Sequence, residues 1–323
     1  MRGDKILWND QVKLIISDVD ETVADLYVRA EPEMIQELTE LLQEGVAVFF
    51  VTGQGLKSAQ WRVIELLPQP LRSHILIGHC SGAEVWGYNS DGTLRSLPFY
   101  SVYNLSEEQK KKWRELVQQL VKEFNLKTYH TMPVKEFLKQ VGNNPLSVML
   151  EDRGPQITFE VVNGYDLTPE QASRLEATIP EIHSHYDLRV PILERAEELF
   201  NEENLPIAPH LAGVFAVDFI VKGVSKTTAV KRVLRDGSVL ASLGLTQDDV
   251  SDPNRIEIWG DKFSTIRGGT DRYMSEALPS QVRSIDFREE DPKEFMSGYN
   301  VVVWSGIKHL HNGLLEYLQS RPK

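Results

Sequence analysis

Leu14-Ile15-Ile16-Ser17-Asp18-Val19-Asp20-Glu21-Thr22 is an apolar run stopped by two aspartates one residue apart. A short apolar run ended by polar residues suits a buried parallel strand, and open α/β sheets bind ligands beyond the carboxyl ends of such strands. Asp18 and Asp20 are therefore expected to face a crevice. Two like charges this close are costly unless a metal ion or a shared proton lies between them. Taken alone, the segment also fits a polar loop after a core strand.

The pattern extends outward in both directions. Glu31-Pro32 opens a helix with Met34, Ile35, Leu38, Leu41 and Leu42 on one face, and Gly45 stops it. Val46 to Thr52 reads as a second buried strand, followed by a helix through Trp61, Ile64 and Leu67 that ends at Pro68. His74 to Gly78 is a third strand. Strands alternating with helices predict a parallel sheet with crossover helices.

Near residue 100 the pattern changes. Ser106 with Gln109 forms a capping box ahead of an amphipathic helix through Trp113, Leu116, Val117, Leu120, Val121 and Phe124. Leu146 to Asp152 and Gln156 to Val162 read as a hairpin around Arg153-Gly154-Pro155. Thr168-Pro169 with Gln171 starts another helix, and strands are expected at Leu188 to Leu193 and Gly213 to Val221. The parallel pattern then returns. Ser225 caps a helix bearing Val230, Val233 and Leu234, and Ile256 to Asp261 is again a strand ending in an acid. Gln281 to Phe287 and Val301 to Trp304 are further strands, and a helix with Leu310, Leu314, Leu315 and Leu318 closes the chain. The expected fold class is α/β, a Rossmann-like parallel-sheet core over 1–98 and 210–323 interrupted by an α+β domain over 99–209.

Composition bounds the partners. The net charge of −12 on 323 residues, with no long run of Lys and Arg, argues against nucleic acid or an anionic membrane and for a small substrate. Cys80 is the only cysteine, which excludes an internal disulfide and reads best as a buried structural thiol. With neither a signal-like apolar core nor a membrane-length stretch, a cytoplasmic location is expected.

Four separated pieces resemble the haloacid dehalogenase superfamily of phosphatases and phosphomutases. Asp18-Val19-Asp20-Glu21-Thr22 is similar to its first motif, Thr52 to its second, Lys226 in Val224-Ser225-Lys226 to its third, and Gly260-Asp261 with Asp271 to its fourth. The resemblance implies a phosphatase that works through an aspartyl-phosphate on Asp18, with Asp20 as acid and base. Thr52, Gly53 and Lys226 would hold the substrate phosphate. Asp18, Asp261 and the backbone carbonyl of Asp20 would bind Mg²⁺, a hard ion suited to oxygen ligands, and Asp271 would be a further ligand or hold Lys226 and a metal-bound water in place. No organic cofactor is implied. Lys222, four residues before Lys226, is a rival for the third motif, and Asp271 also fits a helix N-cap.

Gly260 to Asp271 resembles the corresponding segment of phosphomannomutases, although the loop is two residues longer and Thr270 replaces an Asn. Phe215 to Lys226 resembles the strand leading to their lysine. The inserted domain lies where that branch, with the sucrose-phosphate and trehalose-phosphate phosphatases, carries a cap of the C2 type, C2B within it. The implied substrate is a small phosphorylated metabolite, a sugar phosphate by this likeness, chosen by the cap. Glu21 departs from the Gly common in the family. The resembling mutases grip a second phosphate with several arginines around the cap hairpin, where this chain has only Arg153 flanked by Asn143, Asn144, Asn163 and Gly164. Simple hydrolysis is the expectation, with a sugar phosphomutase and a non-catalytic binder of the same fold as alternatives. His183 with His185 and His309 with His311 lack an acidic partner at zinc-like spacing and read as packing or surface histidines.

Overall fold

The computed structural model describes residues 6–175, 178–182, 185–266 and 269–322. His183 lies outside them. The chain forms two compact units, one of residues 1–101 and 224–323 and one of residues 102–223.

The first unit begins with β1 (Leu14–Ser17), α1 (Pro32–Gln43), β2 (Ala47–Val51), α2 (Leu56–Arg62) and β3 (Ile75–His79). Pro32 sits at the first helical position and Gly45, at φ 82°, ends α1. The helix expected to run to Pro68 stops earlier. Val63 leaves helical geometry at φ −130°, and only a 3₁₀ turn at Ile64–Leu66 follows. The face of α2 also differs from expectation, since Trp61 is 47% exposed while Arg62 is fully buried. Two short strands, β4 (Glu84–Gly87) and β5 (Tyr100–Ser101), continue the sheet in antiparallel sense.

The chain then enters the second unit. There α3 (Glu107–Glu123) has the expected capping box, with Ser106 and Gln109 exchanging bonds. It is followed by β6 (Lys127–Tyr129), α4 (Val134–Val141), β7 (Ser147–Asp152), β8 (Gln156–Glu160), α5 (Pro169–Ser173), β9 (Glu181–Ile182), β10 (His185–Tyr186), α6 (Arg189–Glu202), β11 (Ile207–Ala212) and β12 (Ala216–Val221). A five-stranded sheet of order β11-β12-β8-β7-β6 is its centre, with β7 and β8 paired as the expected hairpin. The strand expected at Leu188 to Leu193 is instead the first turn of α6. The Asp187 carboxylate accepts the Arg189 N–H, Pro191 is tolerated in a first turn, and Ile192, Ala196, Leu199 and Phe200 then form one buried stripe.

The chain returns through α7 (Lys226–Arg235), α8 (Gly237–Ser242), α9 (Gln247–Ser251), β13 (Ile256–Gly260), α10 (Arg272–Ser275), β14 (Arg283–Asp286), β15 (Val301–Val303) and α11 (Leu310–Gln319). The return comes at 223–224 and not at the expected 210. β12 hydrogen-bonds to β8 and β11, which makes the strand before Lys226 part of the second sheet.

The first unit's sheet has the order β15-β14-β13-β1-β2-β3-β4-β5, parallel from β15 to β3. Alternate residues of its strands feed two apolar layers. Ile15, Val48 and Phe50 pack with α1 and α11, and Leu14, Ile16, Phe49 and Val51 pack with α7, α8 and α9. β1 lies between β2 and β13, the strands at which the winding reverses, so its carboxyl end opens at a topological switch point.

Candidate active site

The switch point gathers the residues that follow β1, β2 and β13 and those that begin α7. Asp18 directly follows β1, its N–H donating to Trp259 O at 3.0 Å, and is 7% exposed. The chain after it turns tightly, with Glu21 N donating to Ala24 O at 2.8 Å and Glu21 at φ 58°. That left-handed geometry explains why glycine suits this position in the resembling family. Here a glutamate adopts it, and its carboxylate is met by the Arg288 guanidinium and by Lys262 Nζ at 3.4 Å.

Thr52 follows β2. Its Oγ1 accepts the Gln54 N–H at 3.0 Å and donates to Asp20 Oδ2 at 3.4 Å. Gly53 is the next residue. Lys226 is the first residue of α7, held by Ser225, whose hydroxyl accepts the Thr228 N–H at 3.0 Å. The Lys226 ammonium donates to Asp18 Oδ1 and to Asp271 Oδ1, both at 2.8 Å. Lys222 is exposed beyond the end of β12 in the second unit, its N–H bonded to Pro206 O.

Asp261 follows β13 and is fully buried. Asp271 precedes α10 without capping it, and its Oδ2 accepts the N–H groups of Asp261 and Lys262 at 2.9 and 3.0 Å. Gly260 permits this approach, because a Cβ there would lie 2.7 Å from Asp271 Oδ2. Asp18, Asp261 and Asp271 thus each bring one carboxylate oxygen within 4.8 Å of the others. Among the described residues this is the only group of three or more such side chains that could hold a metal ion. Asp20 directs its side chain elsewhere, to Arg62 Nη1 at 2.5 Å and to Thr52.

Burial dominates the electrostatics. It raises the Asp18 carboxyl to about 7, a rise that Lys226 opposes and Asp271 and Asp20 reinforce. Burial likewise holds Asp261 well above the usual carboxylate range. For Lys226 burial works against the charge, but Asp18 and Asp271 outweigh it and keep the ammonium protonated. Asp18 and Asp271 share the Lys226 ammonium, while Asp261 meets Arg288 Nη2 at 2.5 Å and Lys262 Nζ at 3.9 Å. An all-oxygen, electron-rich cluster of three carboxylates fits a hard divalent cation.

The sequence reading missed Arg62, Arg288 and Lys262. Arg62 falls on a helix whose apolar spacing pointed to Trp61, so no periodic signal marks it. Arg288 had one available clue, its place just beyond the carboxyl end of β14. His309 lies near Glu289 at 3.4 Å and His311 near Asn312, outside any metal-holding group among the described residues.

No family model matches the sequence, and no curated protein does. Solved structures match its fold. A haloacid dehalogenase-like hydrolase from Bacteroides thetaiotaomicron aligns with a TM-score of 0.55 and 12% identity, over 95% of this chain and 98% of that one. A trehalose-6-phosphate phosphatase related protein aligns with a TM-score of 0.50 and 12% identity, over 95% of each chain. IMP-bound mutant IMP-nucleotidase of Plasmodium falciparum aligns with a TM-score of 0.50 and 13% identity, over 96% of this chain and 66% of that one. At these identities the likeness is one of architecture, and the chain has the haloacid dehalogenase-like α/β fold.

Proposed function

We propose that this protein is a Mg²⁺-dependent phosphatase of a small phosphorylated metabolite, a sugar phosphate by class. The observation that carries this reading is the buried Lys226 ammonium bridging Asp18 and Asp271 beside Asp261. Phosphoryl transfer needs a positioned nucleophile and positive charge around the equatorial oxygens, roles that Asp18 and Lys226 would fill.

In the reading, a carboxylate oxygen of Asp18 attacks phosphorus while Asp20 protonates the departing oxygen. Asp20 then takes a proton from the water that releases phosphate and restores Asp18. Thr52, Gly53 and Lys226 hold the phosphoryl oxygens. Asp18, Asp261, Asp271 and the Asp20 carbonyl would hold Mg²⁺, which supplies charge neutralisation at the phosphoryl group. Residues 102–223, inserted between Thr52 and Lys226, would select the substrate.

Hydrolysis is favoured over mutase chemistry because the arginines at the hairpin are already engaged among the described residues, Arg153 with Glu151 at 2.7 Å and Glu160 at 3.7 Å, and Arg114 with Asp152 at 2.8 Å. Among the described residues no helix is long and apolar enough to cross a membrane.

The test is phosphate release from p-nitrophenyl phosphate and from a panel of sugar phosphates and nucleoside monophosphates, with Mg²⁺ or with chelator. Turnover should require the metal, and Asp18→Asn should abolish it, because an amide cannot form the acyl phosphate. An Asp18→Asn protein within a few-fold of wild type would overturn the assignment.

A further inference from the structure

Arg62 is the last residue of α2 and is fully buried, an unusual place for a guanidinium. Its Nε donates to Val28 O at 2.9 Å, and its Nη2 to Asp25 O at 2.8 Å and Ala24 O at 3.4 Å. Its own carbonyl accepts the Ala30 N–H at 2.9 Å. The remaining arm, Nη1, meets Asp20 Oδ1 at 2.5 Å, the only ion pair of Arg62 among the described residues. A buried charge is tolerable only when it is paired and hydrogen-bonded, so arginine and carboxylate hold each other in place.

The two oxygens of Asp20 are thereby made different. Oδ1 is pinned by Arg62 on the protein side, and Oδ2 is turned to the Thr52 hydroxyl at 3.4 Å. We infer that Arg62 is a positioning residue: it locks the Asp20 carboxyl so that Oδ2 alone is presented to the phosphoryl site for proton transfer. This inference rests on the phosphatase reading. As the bond from phosphorus to the leaving oxygen breaks and the bond from Asp18 to phosphorus forms, the proton on Oδ2 passes to the leaving oxygen. When water attacks the phosphorylated Asp18, its proton returns to Oδ2. Orientation matters because proton transfer requires hydrogen-bond reach in the reacting geometry.

A merely structural Arg62 and a positioning Arg62 differ in how they treat leaving groups. p-Nitrophenolate departs without a proton, whereas an alkoxide needs one. The experiment measures first-turnover phosphoryl transfer from p-nitrophenyl phosphate and from glycerol 2-phosphate in the full chain with Mg²⁺. Arg62→Met should slow the alkyl substrate about a hundredfold and the aryl substrate no more than about threefold. Asp20→Asn should show the same asymmetry, and the double variant should lose no more than either single one, since both remove one function. Arg62→Lys should recover part of the alkyl rate. It also carries the test if Arg62→Met does not fold by circular dichroism, in which case the same selective loss is expected in smaller measure. Equal losses on both substrates, or multiplicative losses in the double variant, would overturn the positioning role while leaving the phosphatase reading intact. A wild-type protein that releases phosphate neither from these two substrates nor from any sugar phosphate or nucleoside monophosphate would overturn that reading and this inference with it.

Discussion

Lys226 and Lys222 stand four residues apart, yet only one of them meets the acid cluster. Lys226 donates to Asp18 and Asp271 from a buried position, and Lys222 is exposed in the other unit. Lys226→Ala would leave the carboxylates and a bound phosphate without their shared ammonium, and kcat/KM should fall by about 10²–10³, as for loss of one transition-state donor. Lys222→Ala should stay within a few-fold. Steady-state kinetics of the two variants side by side check this, and the reverse ranking would remove Lys226 from the phosphate site. The local sequence favoured Lys226 for its Gly-Val-Ser approach but kept Lys222 as a rival. The choice was made by the end of β12, after which Lys222 is exposed and bonded to Pro206 O in the second unit before α7 begins.

At the scale of elements, the turn after β3 controls how α7 approaches the sheet. Gly82 has φ +85°, and a Cβ there would lie 2.4 Å from the Ala229 Cβ. Gly82→Ala should therefore destabilise the fold by roughly 1–3 kcal/mol and displace the helix that carries Lys226. Denaturant unfolding together with KM for the substrate reads both effects. An unchanged unfolding midpoint would show that α7 can shift without cost. Elements announced by local chemistry were legible in advance: the Ser106 and Thr168 capping boxes, Pro32 at a helix start and the apolar runs of β1, β2, β3 and β13. Leu188 to Leu193 was misread because a short apolar run has no decisive period, and the stripe that identifies α6 lies mostly beyond it. The short antiparallel strands β4 and β5 carry no such signal, being defined by their neighbours in the sheet.

Two consequences belong to the whole molecule. A ligand that binds only the folded protein stabilises it by mass action, about 2.7 kcal/mol at a hundred times its Kd. Mg²⁺ should accordingly raise the melting temperature in a concentration-dependent way, and Asp261→Asn should weaken that response. A response unchanged in Asp261→Asn would place the ion elsewhere. The second consequence is pH dependence. Burial chiefly lifts Asp286 from 3.8 to about 7, although it accepts the N–H groups of Arg288 and Glu290. A carboxyl raised on folding stabilises the protein below its unfolded value and loses that contribution as pH rises through the folded one. In chelator, the stability of the wild type relative to Asp286→Asn should fall between about pH 4 and 7 by on the order of a few kcal/mol. A difference independent of pH would remove Asp286 as the source.

Sequence alone determined the α/β alternation and the interruption by a second unit, because strand periodicity and caps are local properties of the chain, while motif order, through the family resemblance, marked Asp18, Thr52, Lys226, Asp261 and Asp271 as candidates. Only tertiary structure decided where the interruption ends, which lysine meets the acids, and that Arg62, Arg288 and Lys262 complete the charge pattern. The reason is physical. Burial and ion pairing depend on residues brought together from far apart, such as Arg62 with Asp20 and Arg288 with Asp261 and Glu21, and no spacing within one segment encodes those distances.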